Sequence, residues 1–305
     1  MATTTETSYS AIERTYTYRA THLASPTLRT RLTTALGYDP CDLSSIPDSA
    51  NIGESCGNPL LIAHLKEGET VIDLGCGGGM DVLLAAKKVG DTGKVVGVDM
   101  TEKMISLATS NAAAAGVKNV EFYHTRISTL PLEDNTVDCV LSNCVFNLVP
   151  DEEKEGVVKE VYRVLKPGGR LAWSDFLALK EMPGEMKGDE RLVAGCVAGA
   201  TERGVLEGWL KEAGFEDVLV VDGGKGLPMG NTTTPCCAGE GCGGEEGRTE
   251  VGFDLGEWIG SFQIFALKPA ADSTDSTVVS TTTPEKDAAT AEQGKKACCC
   301  KGGGC

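Results

Sequence analysis

Val71-Ile72-Asp73-Leu74-Gly75-Cys76-Gly77-Gly78-Gly79-Met80 is the stretch from which the architecture can be read. A short apolar run, Val71 to Leu74, passes straight into a glycine-rich turn, and Met80 to Val89 then carries the period of a helix. Strand, glycine turn and helix in that order place glycines where a backbone must approach a ligand closely. Further along, Lys94 to Asp99, Asn119 to His124, Val137 to Ser142 and Arg170 to Phe176 read as strands. Helices are expected over Thr101 to Ala115, closing at Gly116, and over Asp151 to Leu165, ended sharply by the turn Lys166-Pro167-Gly168-Gly169. Alternation of this length predicts an α/β fold, a doubly wound parallel sheet with helices on both faces.

Outward from this core the chain changes character. Residues 1–58 show scattered helical periodicity and form an expected N-terminal lobe. Residues 59–180 form the expected cofactor-binding domain, and 181–269 complete the sheet with a helix over Arg203 to Ala213 and strands at Asp217 to Val221 and Ser261 to Leu267. Between those strands lies a Gly- and Cys-rich insertion from Gly223 to about Gly252. Residues 270–305, rich in Ser, Thr and Ala and without an aromatic residue, are expected to be a disordered, Cys-rich tail.

Composition bounds the function. The 305 residues are 41% hydrophobic and 24% charged, and Lys plus Arg of 28 against Asp plus Glu of 44 leaves a net charge of −16. Such a field repels polyanions, which argues against nucleic acid as a partner. Apolar runs fall short of a membrane span, and the first ten residues show no secretory pattern, so a cytoplasmic protein without stable membrane anchoring is expected. Thirteen cysteines then read as thiols for chemistry or for capture of a soft ion, not as a disulfide scaffold.

Asp99 lies 99 minus 75, or 24, residues beyond the first glycine of the turn, where an acidic side chain can accept hydrogen bonds from ribose hydroxyls. Asp73 just before the turn, and the absence of Arg or Lys within it, favour a nucleoside sulfonium over a dinucleotide. The run Asp73-Leu74-Gly75-Cys76-Gly77-Gly78-Gly79 resembles the turn of class I S-adenosylmethionine-dependent methyltransferases. That resemblance implies a seven-strand sheet with its last strand antiparallel. It implies Gly75 and Gly77 beside the methionine moiety, Asp99 on the ribose, and Met100 and Ile127 on either side of adenine, with backbone groups or Ser128 reading the base. Asp73 and Asn143 join the expected cofactor contacts.

His22, His64 and His124 fit no catalytic motif, whereas Cys144 follows a strand end of the kind where doubly wound sheets bind ligands. Ser142-Asn143-Cys144-Val145-Phe146-Asn147-Leu148, Cys56-Gly57-Asn58-Pro59 and Gly195-Cys196-Val197-Ala198-Gly199-Ala200, with Asp99-Met100-Thr101 and Trp173-Ser174-Asp175, resemble the arsenite methyltransferases. The resemblance implies transfer of methyl groups from S-adenosylmethionine to trivalent arsenic. Cys144 and Cys196 would be lasting ligands, and Cys56 the third ligand and redox partner. It further implies a disulfide formed on reduction of pentavalent product, with glutathione or thioredoxin as restoring reductant. The residue types agree, since arsenic(III) is thiophilic and its lone pair needs no general base. Cys41 stands 56 minus 41, or 15, residues before Cys56, so its equivalence to the family's additional N-terminal cysteine is open, and Glu54-Ser55 replace a usual tyrosine.

Cys139, inside a strand, reads as a small buried hydrophobe, and Cys76 matters chiefly for its backbone. The clusters Cys236, Cys237, Cys242 and Cys298, Cys299, Cys300, Cys305 fit arsenic capture, random oxidation or, for the terminal cluster, palmitoylation. Two other functions stay open at this point. One is methylation of a small metabolite, and the other is a catalytically silent protein that binds metalloid through its thiols.

Overall fold

The computed structural model describes residues 4–223 and 255–271. In chain order the elements are α1 (Thr4–Thr21), α2 (Pro26–Ala35), α3 (Pro40–Ser44), α4 (Leu60–Ala63), β1 (Thr70–Leu74), α5 (Met80–Val89), β2 (Lys94–Asp99), α6 (Glu102–Ala115), β3 (Val120–His124) and β4 (Val137–Asn143). There follow α7 (Asp151–Val164), β5 (Leu165–Ala178), α8 (Gly184–Lys187), α9 (Glu190–Ala194), β6 (Thr201–Glu202), α10 (Arg203–Ala213), β7 (Glu216–Asp222) and β8 (Ile259–Leu267).

The sheet runs β3-β2-β1-β4-β5-β8-β7. β1 to β5 are parallel, while β8 is antiparallel to both β5 and β7. Alternate side chains of the central strands feed two cores on opposite faces, as the period of two requires. Val71, Val95, Cys139 and Leu141 pack with Val82, Ala85 and Val89 of α5. Ile72, Leu74, Val96, Val98 and Val140 pack with Val157, Val161 and Val164 of α7 and with Leu206 and Leu210 of α10. Strand order reverses between β1 and β4, so the crevice beyond their carboxyl ends is where such a sheet binds ligands.

Two expectations change. The sheet has an eighth strand, because β6 pairs with the far end of β5 at Leu177 and Ala178. Two residues, one of them the charged Glu202, carry too little periodicity to announce a strand. Lys166 to Gly169 is not a turn standing between helix and strand, since pairing already begins at Val137 with Leu165 and resumes at Cys139 with Arg170. The four residues bulge from the start of β5, with Gly168 left-handed at φ 79° and its N–H donated to Lys268 O at 2.9 Å.

The N-terminal lobe lies over the crevice. α1 packs on α6 and α9, and buried Arg29 of α2 donates to Asn51 O and Asp48 O, which ties down the segment that covers the glycine turn. A Cβ on Gly78 would stand 2.7 Å from the carbonyls of both Ser49 and Ala50, so that position admits glycine alone. Glu181 to Thr201 resolves into α8, α9 and β6. The cysteines of 236–242 and of 298–305 lie outside the described residues.

Candidate active site

The end of β1 builds the first half of the site. Gly75, Gly77 and Gly79 are all left-handed, at φ 68°, 51° and 90°, and so wrap the backbone around the crevice at little steric cost. Asp99, at the end of β2, accepts from Gly77 N–H at 3.0 Å and from Thr101 N–H at 2.8 Å, which fixes its carboxylate at the pocket wall. Asp73 also lines the pocket and is 3% exposed, and its carboxylate accepts no hydrogen bond from the described residues. Burial, reinforced by the neighbouring Asp81 and Asp99 charges, pushes its pKa well above the carboxylate range. Asp81 accepts from Tyr38 OH at 2.7 Å and from Asn143 Nδ2 at 3.2 Å, and burial pushes it up to about 6. Three carboxyls thus face one enclosed space, which favours a cation over an anion there.

Met100 and Ile127 line the same pocket, and α1 roofs it through Tyr9, Ile12 and Tyr16. Tyr9 is anchored by its hydroxyl, donated to Glu153 Oε2 at 2.6 Å, and by the Arg126 guanidinium 4.1 Å from its ring centre. Ser128 does not line the pocket; it sits in a turn closed by Thr129 N–H to Arg126 O at 3.1 Å.

The thiols occupy the adjoining apolar cluster, which holds Cys56, Cys144 and Cys196 together with Phe176, Met186 and Leu192. The three are 2%, 3% and 1% exposed. The sulfurs of Cys56 and Cys144 and one carboxylate oxygen of Asp175 all lie within 4.8 Å of one another. Cys196 stands one step further round, its thiol donated to Cys144 O at 2.8 Å. Cys144 and Cys196 are both left-handed, at φ 60° and 59°. For a non-glycine residue this conformation costs roughly 1–2 kcal/mol, and such strain gathers where surrounding structure dictates the geometry.

That surrounding structure is explicit. Asp175 accepts from Val145 N–H and Phe146 N–H at 3.2 and 3.0 Å, from Asn147 Nδ2 at 2.9 Å and from Phe176 N–H at 2.9 Å, which clamps the loop after Cys144. Burial lifts its pKa to about 7 in spite of those four donors. Asn147 also donates to Cys196 O at 3.1 Å, and Gly199 touches Asn147 O so closely that a Cβ would collide with it. Cys56 donates its N–H to Asn143 Oδ1 at 3.2 Å and its thiol to Ser174 O at 3.4 Å, while Ser261 Oγ of β8 donates to Cys56 O at 2.7 Å.

The structure therefore gathers Asp73, Gly75, Gly77, Asp99, Met100, Ile127 and Asn143 at one pocket that Cys144 also lines, with Cys56 and Cys196 in the cluster beside it. Cys41 is exposed on α3, with its N–H on Asp39 Oδ1 at 2.7 Å. Cys139 is buried, its thiol pushed up to about 12 by desolvation. Cys76, at the pocket floor, is raised by burial and then by Asp99 and Asp73. Sequence reasoning gave no part to Tyr38, Asp81 or Asp175; Asp175 stood inside a quoted motif, and Tyr38 carried no signal at all.

The comparisons with known proteins are consistent with this site. A family model for a methyltransferase domain matches residues 65–214. An arsenite methyltransferase of Halobacterium salinarum is 43% identical over 78% of this chain and 56% of its own length. The arsenite methyltransferase of Aquipseudomonas alcaligenes is 39% identical over 55% of this chain and 49% of its own. Over these stretches the chain is similar to arsenite methyltransferases. It spans about half the length of these curated relatives. Among solved structures, an arsenic (III) S-adenosylmethionine methyltransferase from Chlamydomonas reinhardtii superposes with a TM-score of 0.54 at 28% identity, covering 78% of this chain and 73% of that one. The matched methyltransferase domain contains Cys144 and Cys196, whereas Cys56 and the whole of α1 precede it.

Proposed function

We propose that this chain is an arsenite methyltransferase that moves methyl groups from S-adenosylmethionine to trivalent arsenic held by Cys56, Cys144 and Cys196. The observation that carries the reading is the junction of two unlike spaces. A pocket walled by Asp73, Asp81 and Asp99 meets a buried thiol cluster, and Cys144 lines the one while belonging to the other.

The residues present fit the cofactor. Asp73 offers a buried carboxylate with no described hydrogen-bond donor, suited to an ammonium or sulfonium charge. Asp99 keeps further lone pairs for ribose hydroxyls, and Met100 and Ile127 supply apolar walls for a base. When bound, S-adenosylmethionine supplies an electrophilic methyl group and leaves as S-adenosylhomocysteine.

The chain's own work is capture and aim. Each thiol that displaces a hydroxide of arsenite gives its proton to that hydroxide, releasing water, so ligand exchange is balanced without an outside base. The lone pair of thiol-bound arsenic is the nucleophile, and the rigid Cys144 loop holds it toward the pocket, which converts a bimolecular encounter into a positioned one. In the same reading, enzyme thiols return the formally pentavalent product to the trivalent state by forming a disulfide, which glutathione or thioredoxin reduces. In this reading residues 1–58 cover the cofactor and supply Cys56, 59–180 carry the cofactor and Cys144, and 181–269 supply Cys196. No helix among the described residues is long and apolar enough to cross a membrane, and a reducing cytosolic setting suits thiols that must stay reduced.

The test is transfer of labelled methyl from S-adenosylmethionine to arsenite with glutathione present, with the arsenic species separated by chromatography. Methylated arsenic that disappears in Cys144→Ser supports the reading; cofactor binding with no arsenical product refutes it.

A further inference from the structure

Cys56 and Cys196 stand on separate loops, and one side chain of α1 touches both loops. Arg19 Nη1 donates to Glu54 Oε2 at 3.1 Å and to Ala194 O at 3.2 Å. Glu54 is two residues before Cys56, and Ala194 is two residues before Cys196. Ala194 closes α9, and the guanidinium thus meets a helix carboxyl end, where a cation is favoured. Tyr16, three residues back on the same face of α1, brings its hydroxyl to 3.5 Å from Ala194 O and 3.9 Å from the Cys196 sulfur. The Arg19 guanidinium lies 4.8 Å from the centre of the Tyr16 ring.

Both partners of the Arg19–Glu54 pair are only 13% exposed, so the contact is shielded from water and less screened than a surface pair. A planar, forked guanidinium can serve a carboxylate and a carbonyl together, whereas an ammonium on a flexible stem holds such a pair less well. At its other end α1 is held by Tyr9 on Glu153 and Arg126, so it acts as a fixed strut.

We propose that Arg19, supported by Tyr16, is a positioning residue that sets the separation of the Cys56 and Cys196 loops and so determines whether arsenic(III) is taken by three sulfurs or by two. The inference rests on the arsenic-binding reading above and adds a determinant that lies outside the matched methyltransferase domain. The expected defect is selective. Arsenite has three exchangeable oxygens and uses all three thiols, while phenylarsine oxide has an aryl group in place of one and needs two.

The experiment uses the full chain and compares wild type, Arg19→Ala, Arg19→Lys and Tyr16→Phe. Arsenic X-ray absorption counts sulfur neighbours, and tryptophan fluorescence titration gives affinities for arsenite and for phenylarsine oxide. Arg19→Ala should lose one sulfur neighbour and weaken arsenite binding by about tenfold or more, the scale of one charge-assisted contact. Binding of phenylarsine oxide, which needs only two of the thiols, should stay within about twofold. Arg19→Lys should recover part of the loss, and Tyr16→Phe should show a smaller one.

Arg19→Ala with three sulfurs and unchanged arsenite affinity overturns the inference alone. Equal losses for arsenite and phenylarsine oxide, none recovered by Arg19→Lys, reduce Arg19 to a general folding role and also overturn it. Wild-type arsenic with no sulfur neighbour overturns instead the reading beneath it. If Arg19→Ala folds poorly, Arg19→Lys still carries the test, because hydrogen exchange must then quicken together in the segments around residues 50–57 and 190–197.

Discussion

β1 and β4 lie side by side in the sheet and both end at the crevice, yet they leave it by different means. After β1 the backbone turns left-handed at Gly75, Gly77 and Gly79, where no side chain is wanted and glycine makes the conformation cheap. After β4 it turns left-handed at Cys144, a residue that resists that conformation. The first loop presents backbone to a ligand, and the second must present a sulfur. Where only the peptide is needed the chain spends glycine; where a side chain is needed it accepts strain, and Asp175 and Asn147 hold the loop against it.

This contrast can be broken most severely at the sulfur. Cys144→Ser keeps nearly the same shape but offers a hard oxygen to a soft ion, and methyl transfer to arsenite should fall by about a thousandfold or more. Next is the glycine side. A Cβ on Gly75 would run into Val145, and φ is 68° there, so Gly75→Ala should lower stability by about 1–3 kcal/mol in denaturant titration and abolish tight cofactor binding.

A third effect is pH. Burial raises Asp73, Asp81 and Asp99, with Asp81 reaching about 6. A cationic cofactor is held by the ionised forms, so calorimetric affinity for S-adenosylmethionine should rise by roughly tenfold as pH passes up through about 6, one pKa unit's worth. S-adenosylhomocysteine, which lacks the sulfonium charge, should show a flatter profile, and Asp81→Asn should remove most of the step. Stability carries the opposite sign. Unfolded carboxyls titrate near ~4, so Asp81 contributes stability that is complete below that value and is lost as pH rises through its folded value of about 6.

A smaller effect sharpens the comparison itself. If the loop after β4 is strained at Cys144, then Cys144→Gly should be more stable than Cys144→Ala by about 1 kcal/mol, the reverse of the usual order. Cys41→Ser, on an exposed helix away from the cluster, should leave turnover within about twofold, as remote surface changes do.

The same contrast explains how much could be read from the sequence. β1, α5, β2 and α6 emerged within a residue or two of their bounds because valine runs, an alanine-rich helix and glycine stops are local signals. Gly75, Gly77 and Asp99 were legible for the same reason. Tyr38, Asp81, Asp175 and Arg19 were not, because each acts through partners distant in sequence, as Tyr38 does on Asp81 and Arg19 on Ala194. The cysteine motifs were legible as family likeness, but the left-handed backbone at Cys144 and Cys196 was not, since nothing in a cysteine announces its φ. The two-residue β6 and the bulge at Lys166 to Gly169 are fixed by pairing with β5 and by Lys268, again information that is not local.

β8 is the last in sequence of the strands among the described residues, yet it lies between β5 and β7, and its Ser261 holds the carbonyl of Cys56. A ribosome therefore releases the nucleotide turn, the strained thiol loops and the roofing helix long before the strand that locks them. Until Ile259–Leu267 emerges and inserts, Cys56 lacks that tether, and β5 presents an unpaired edge. The order of synthesis thus leaves the thiol cluster without its last tether until β8 has been made.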